Sequence, residues 1–150
     1  LGELWAPVEA YLGGEQEFWA NLRPLPWLHE LIQVVERYDP QYTILTSPSP
    51  SVDSWLGKLR WLRKYQVVGC HTGNFNRVRI QHKKYELSAP GRILIDDSEK
   101  NCTEWMNPPD KTIGGHSIRF PLGTPQSIMA TNPWERIDSL IVDTVRQYSL

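Results

Sequence analysis

The chain has 150 residues, 40% of them apolar, with 16 Lys and Arg against 17 Asp and Glu and a formal net charge of -1. That is enough for one compact core, and too little charge for general attraction to nucleic-acid polymers or anionic membranes, so any nucleotide would have to be held locally. No run approaches the roughly 18 apolar residues of a membrane helix, no leader is visible, and Cys70 and Cys102 lack metal-ligand spacing and cannot build a disulfide framework, which together fit a cytoplasmic protein with reduced thiols.

Residues 1–38 read as helical, interrupted at Pro24-Leu25-Pro26, with Trp27, Leu28, Leu31, Ile32, Val34 and Val35 on a buried face. A strand over 41–46 ends in Thr46-Ser47-Pro48-Ser49-Pro50. A hydroxyl before a proline-stiffened loop at a strand end can donate to an anion, although Ser and Thr there also serve simply as turn formers. A helix over 53–65 buries Leu59, Leu62 and Tyr65, which makes Lys58 a surface or capping residue. Loops over 66–76 and 107–115 bracket strands over 77–81 and 92–97 and a helix over 99–106. A strand over 116–120 and a helix over 133–147 follow. In the last segment Trp134, Ile137, Leu140, Ile141 and Val145 recur at helical spacing after Asn132-Pro133, so Asp143 belongs to a helix rather than to the end of a strand. Alternation of this kind predicts an α/β fold with a parallel sheet and right-handed crossovers.

The strongest chemical signal is Arg92-Ile93-Leu94-Ile95-Asp96-Asp97, an apolar strand ending in two adjacent carboxylates at the edge where open α/β sheets keep their chemistry. Adjacent carboxylates raise each other's pKa unless a cation neutralises them, and hard oxygen ligands suit Mg²⁺. The plainer alternative is a helix cap, with Asp97 or Ser98 at the start of the helix over 99–106. Lys83-Lys84 lies about a dozen residues upstream, as expected of a solvated pair. The four His residues are scattered and read as structural. Most of the seven Trp residues, among them Trp19, Trp27, Trp55 and Trp61, read as packing for helices.

The order of these parts resembles the haloacid dehalogenase-like (HAD) hydrolase superfamily. Within it the likeness is closest to the deoxyribonucleotidase-like branch and to related phage and bacterial proteins. The phrases carrying it are Ile44 to Pro48, Gly57-Lys58 with Trp61-Leu62, Lys84 with Pro90-Gly91, Leu94 to Asp97, Asn101 and Gly114-Gly115, spread over residues 15 to 121. The resemblance implies a Rossmannoid three-layer sandwich with a small helical cap, 1–23 being a cap remnant and 24–150 the core of a single domain. It implies that Thr46, with Ser47, orients a phosphoryl group, that Lys84 neutralises it, and that Asp96 and Asp97 hold Mg²⁺. Spacing to Gly91 favours Lys84 over Lys83. Phe18 or Trp19 in the cap would stack on the base of a nucleoside monophosphate, the substrate the branch suggests. Gly114-Gly115 would turn the chain into the last strand.

The family's first motif, D-x-D-G, supplies a nucleophilic Asp and a second Asp acting as general acid and base, and no D-x-D occurs in these 150 residues. Asp39, Asp53 and Asp110 stand in turn or loop contexts. The sequence opens on Leu1-Gly2-Glu3-Leu4-Trp5, which reads as a helix already under way, so the expectation is a chain whose nucleophile strand lies upstream and whose sheet has a gap between the strands ending at Thr46 and Asp96. An oligomer supplying that strand in trans is one way to fill it. Two functions follow: a Mg²⁺-dependent phosphatase working through an aspartyl phosphate once complete, or a catalytically inactive HAD-like module that binds phosphate or a protein.

Overall fold

The computed structural model describes residues 14–67, 75–110, 113–120 and 133–148. The elements in chain order are α1 (Gly14–Ala20), α2 (Leu28–Tyr38), β1 (Ile44–Thr46), α3 (Val52–Lys64), β2 (Val78–Ile80), a 3₁₀ turn (Lys84–Leu87), β3 (Ile93–Asp96), α4 (Glu99–Met106), β4 (His116–Arg119) and α5 (Pro133–Tyr148). The fold is mixed α/β, and no helix among the described residues is long and apolar enough to cross a membrane. The helix expected over residues 1–13 and the loops around His71 lie outside the described residues.

Both ladders are parallel, as expected, but they are short and separate: β1 pairs with β2, and β3 with β4. Each pair is joined through a helix, giving two βαβ arrangements, β1-α3-β2 and β3-α4-β4. The strands are shorter than their apolar runs because turns consume the ends. Before β1, the Asp39 side chain accepts from the Gln41 N–H at 2.8 Å and its carbonyl from the Tyr42 N–H at 3.1 Å, so the chain is still turning where a strand was expected. The described residues gather into two units, one drawn from Leu1–Pro24 and Thr43–His82, the other from Leu25–Tyr42 and Lys83–Leu150.

In the first unit α1 lies on α3, and small residues make the contact. Ser54, Gly57 and Leu62 are the buried positions of α3, whereas Leu59 and Tyr65 are only half-buried and Trp55 is exposed, which corrects the expected packing face. A Cβ on Gly57 would come within 2.5 Å of the Gln16 carbonyl oxygen and 2.7 Å of Trp19 Cβ, so glycine is what lets the two helices approach. Ser51 caps α3, its hydroxyl accepting from the Asp53 N–H at 3.0 Å.

In the second unit the core gathers Trp27, Val34, Ile118, Phe120, Ile137 and Ile141, with Leu31, Val35, Ile93, Ile95, Leu140 and Val145 against it. The helical periodicity of α2 and α5 thus buries the faces it marked. Outside this core Tyr38 Oη donates to Asp138 at 2.7 Å, tying α2 to α5 at the surface. Asp143 is exposed on α5, which disposes of the strand-end alternative for that residue. The glycine pair before β4 does more than turn the chain. Neither residue has positive φ. A Cβ on Gly115 would press on the Arg92 carbonyl and lie 2.5 Å from Trp105 Nε1 and 2.9 Å from the Ala89 carbonyl oxygen. Its N–H donates to Ser88 Oγ at 2.7 Å, and that buried hydroxyl donates in turn to the Trp105 carbonyl at 2.6 Å.

Gly115→Ala should therefore lower the free energy of unfolding by about 2–3 kcal/mol, because backbone cannot retreat as a side chain would. Gly14→Ala, at φ +81° with nothing within 4 Å, should cost only the backbone strain, about 1 kcal/mol. Urea unfolding of the two variants checks the difference.

Candidate functional site

The turn Ala89-Pro90-Gly91-Arg92, closed by the Arg92 N–H on the Ala89 carbonyl at 3.1 Å with Gly91 at φ +80°, reverses the chain into β3. Just before it the 3₁₀ turn carries Lys84. Lys84 Nζ reaches Asp96 Oδ2 at 2.6 Å, with the side chains 12% and 4% exposed, so the two charges meet largely out of water. The other carboxylate oxygen is also taken. The Ser98 N–H donates to Asp96 Oδ1 at 2.8 Å, and Asn101 Nδ2 donates to Oδ1 at 3.1 Å and Oδ2 at 3.3 Å. Ser98 is the cap of α4, accepting from the Asn101 N–H at 3.3 Å, so the cap that orders the helix also aims Asn101 at the strand end.

Burial on its own would raise the Asp96 pKa. The Lys84 ammonium, the Ser98 N–H and Asn101 together outweigh it and hold the carboxyl below the ordinary carboxylate value. Cys102 beneath it is a spectator: its Sγ donates to the Asp96 carbonyl at 3.6 Å, and burial, followed by the Asp96 and Asp97 charges, pushes the thiol up despite a Ser117 hydrogen bond.

Asp97 goes elsewhere. It is exposed, and its backbone carbonyl accepts from Arg119 Nε at 3.3 Å, while Arg119 Nη1 pairs with Glu99 at 3.0 Å. Lys83 is exposed at the start of the 3₁₀ turn. Thr46 closes β1, half-buried, its carbonyl accepting from the Gln81 N–H at 2.9 Å. The Ser47 carbonyl accepts from Lys58 Nζ, and that ammonium lies 4.5 Å from the centroid of the Trp19 ring. Lys58 is therefore not the surface or capping residue the helix pattern suggested. Phe18 meets Trp19 edge-on, centroids 5.3 Å apart. The structure thus brings Lys84 to Asp96 in one unit, and Ser47, Lys58, Trp19 and Phe18 near one another in the other.

Among the described residues no three His, Cys, Asp or Glu side chains gather where they could hold a metal. Asp96 has both oxygens engaged and Asp97 stands exposed beside it, so these residues do not by themselves form a Mg²⁺ site. No family model, curated protein or solved structure matches the chain.

Asp96→Asn should destabilise the protein by about 3–5 kcal/mol in urea, since it strands a buried ammonium. Lys84→Met, which leaves Asp96 its two other donors, should cost less. The pH dependence follows from the sign of the shift. The unfolded chain binds a proton at Asp96 at higher pH than the folded one, so this stabilisation is complete above the ordinary carboxylate value and is lost as pH falls through the lower folded value. In Lys84→Met the folded value rises toward the unfolded one, so the loss should be smaller and complete at higher pH, read by thermal melts across the acid range.

Calorimetric titration with Mg²⁺ should give a dissociation constant of roughly 1 mM or weaker for this chain, as expected of too few ligands. Micromolar binding that survives Asp96→Asn and Asp97→Asn together would contradict it.

Proposed function

We propose that this chain is the phosphate-holding part of a HAD-like, cytoplasmic phosphatase of small phosphoesters, with a nucleoside monophosphate as the favoured substrate class. The observation that carries the reading is the buried Lys84–Asp96 pair with Asn101 at the carboxyl end of β3. An ammonium paired with one anion at a strand end keeps further N–H donors that a phosphoryl oxygen can share. In this reading Lys84 neutralises the transferring group, Asp96 positions Lys84, and Asn101 with the Ser98 N–H fixes Asp96. Thr46 and Ser47 orient the phosphate, and Phe18 with Trp19 flanks the base, both on the strength of the resemblance.

Hydrolysis by this route needs an attacking carboxylate, and none of these residues supplies one aimed at phosphorus. The family's answer is a strand ending in D-x-D-G. The edge of β3 opposite β4 suits such a strand. The Arg92 and Asp96 carbonyls accept from the His116 and Phe120 N–H groups of β4 and the residue after it, at 2.8 and 2.9 Å, so by alternation Ile93 and Ile95 turn their backbone groups to the other edge. The strand can come from the same polypeptide or in trans from a second one. Asp96 and Asp97 would then contribute to a Mg²⁺ site that they do not complete alone. The absence of D-x-D from these residues favours a second reading, a module that binds phosphate or a protein without turnover.

Residues 1–150 alone should show no Mg²⁺-dependent hydrolysis across a panel of nucleoside monophosphates and sugar phosphates. A version with a D-x-D-G strand joined ahead of residue 1 should show it, and should lose at least about 100-fold with Lys84→Met. If the joined version binds inorganic phosphate but never turns over, the binding-module reading stands instead. Hydrolysis by residues 1–150 alone, abolished by Asp96→Asn, would place the nucleophile within this sequence, with Asp143 the first residue to replace.

A further inference from the structure

One carboxylate in the first unit sits where an external anion would be welcome. Glu15, in the first turn of α1, accepts from Ser49 Oγ and from Trp19 Nε1 at 3.3 Å, and the Lys58 ammonium that holds the Ser47 carbonyl lies over the same indole. Ser49 is buried, 4% exposed, in the loop that leaves β1, and its N–H donates to Ser54 Oγ at 3.1 Å, so the hydroxyl is held by the start of α3. Burial would raise the Glu15 pKa, but the Ser49, Ser51 and Trp19 hydrogen bonds with the Lys58 charge leave it lowered. These donors already hold one oxyanion.

We propose that Glu15 is an internal stand-in for an anionic ligand, its side chain an autoinhibitory latch whose carboxylate competes with a phosphoryl group for the Ser49 hydroxyl and Trp19 Nε1 beside the Lys58 ammonium. The inference rests on the phosphate-binding reading of the loop after β1 and adds a regulation to it. Two donors, the Ser49 hydroxyl from the loop after β1 and Trp19 Nε1 from one turn along α1, meet on the Glu15 carboxylate, with the Lys58 ammonium over the same indole. A carboxylate and a phosphate present similar oxygen edges to hydroxyl, indole and ammonium donors, so the occupant itself declares the ligand class. Because Glu15 is covalently tethered, its effective concentration is high, and a free anion must outcompete it. Ligand entry then turns the Glu15 side chain out, while the close approach of Gly57 to Gln16 and Trp19 keeps α1 itself seated on α3.

The test is inorganic phosphate titration of the full 150-residue chain, followed by calorimetry and by the Trp19 indole N–H resonance, identified with Trp19→Phe. Glu15→Gln keeps an acceptor for Ser49 and removes the competing charge, and it should bind phosphate about tenfold more tightly than the unsubstituted chain, with a larger shift of the Trp19 signal. Glu15→Ala should do the same. Equal affinity in all three chains would overturn the latch while leaving phosphate binding in place. No binding in any of them would overturn the phosphate reading and the latch with it. A Glu15→Gln chain that no longer folds would also overturn the proposal, since a displaceable carboxylate cannot be the anchor of its own unit.

Discussion

Asp96 is the point on which the second unit turns. Its carboxylate ends β3, receives the cap residue of α4 through the Ser98 N–H, binds Asn101 one turn into that helix, and pins the 3₁₀ turn through Lys84. Its carbonyl meanwhile accepts from the Phe120 N–H beyond β4. One residue thus fixes strand, helix and preceding turn to each other. A buried ion pair is seldom the most stable solution for a core, since an apolar pair of the same shape commonly does as well or better. Beside Asn101 and a helix cap the Lys84–Asp96 pair holds a charge in place at the strand end as well as joining the elements.

The two units solve the same local problem differently. In the second, glycine gives room for Ser88, Trp105 and Arg92 to close around Gly115, so the strand after the loop enters against the Arg92 and Ala89 carbonyls and the Trp105 indole. In the first, Gly57 gives room for α1, and polar contacts then decorate the seam: Glu15 with Ser49, Glu17 with Arg60, Lys58 with the Ser47 carbonyl, and Trp61 Nε1 on the Leu22 carbonyl at 2.8 Å. The first adds exchangeable side-chain hydrogen bonds, several of them half-exposed, which is the physical ground for treating the Glu15 side chain as displaceable.

Much of the fold was legible because its signals are local. The apolar run before Asp96 marks a strand, Ser98 with good helix formers marks α4 over the residues expected, and the spacing of Ile137, Leu140 and Ile141 marks α5. What could not be read were contacts between segments far apart in sequence. Gly57 looked like one letter of a family phrase, and only the approach of Gln16 and Trp19 explains it. Lys58 falls on the polar side of a helical wheel, so nothing local announces that it reaches the Ser47 carbonyl. Asn101 was visible only as part of a resemblance. A small polar residue one turn into a capped helix after a carboxylate is the signal that could have assigned its role. A gap between the strands ending at Thr46 and Asp96 was expected only through the resemblance, because apolar strands state that they are buried and not which neighbour buries them.

The account's central claim is that Lys84 is a shared cation, held by Asp96 and available to a phosphoryl group. The most direct measurement is the NMR titration of the Asp96 side-chain carboxyl carbon, with and without saturating inorganic phosphate. The account predicts titration below the ordinary carboxylate range in the free chain, and a clear upward move when phosphate draws the ammonium away. An Asp96 titration that stays unchanged while phosphate demonstrably binds the chain would contradict it.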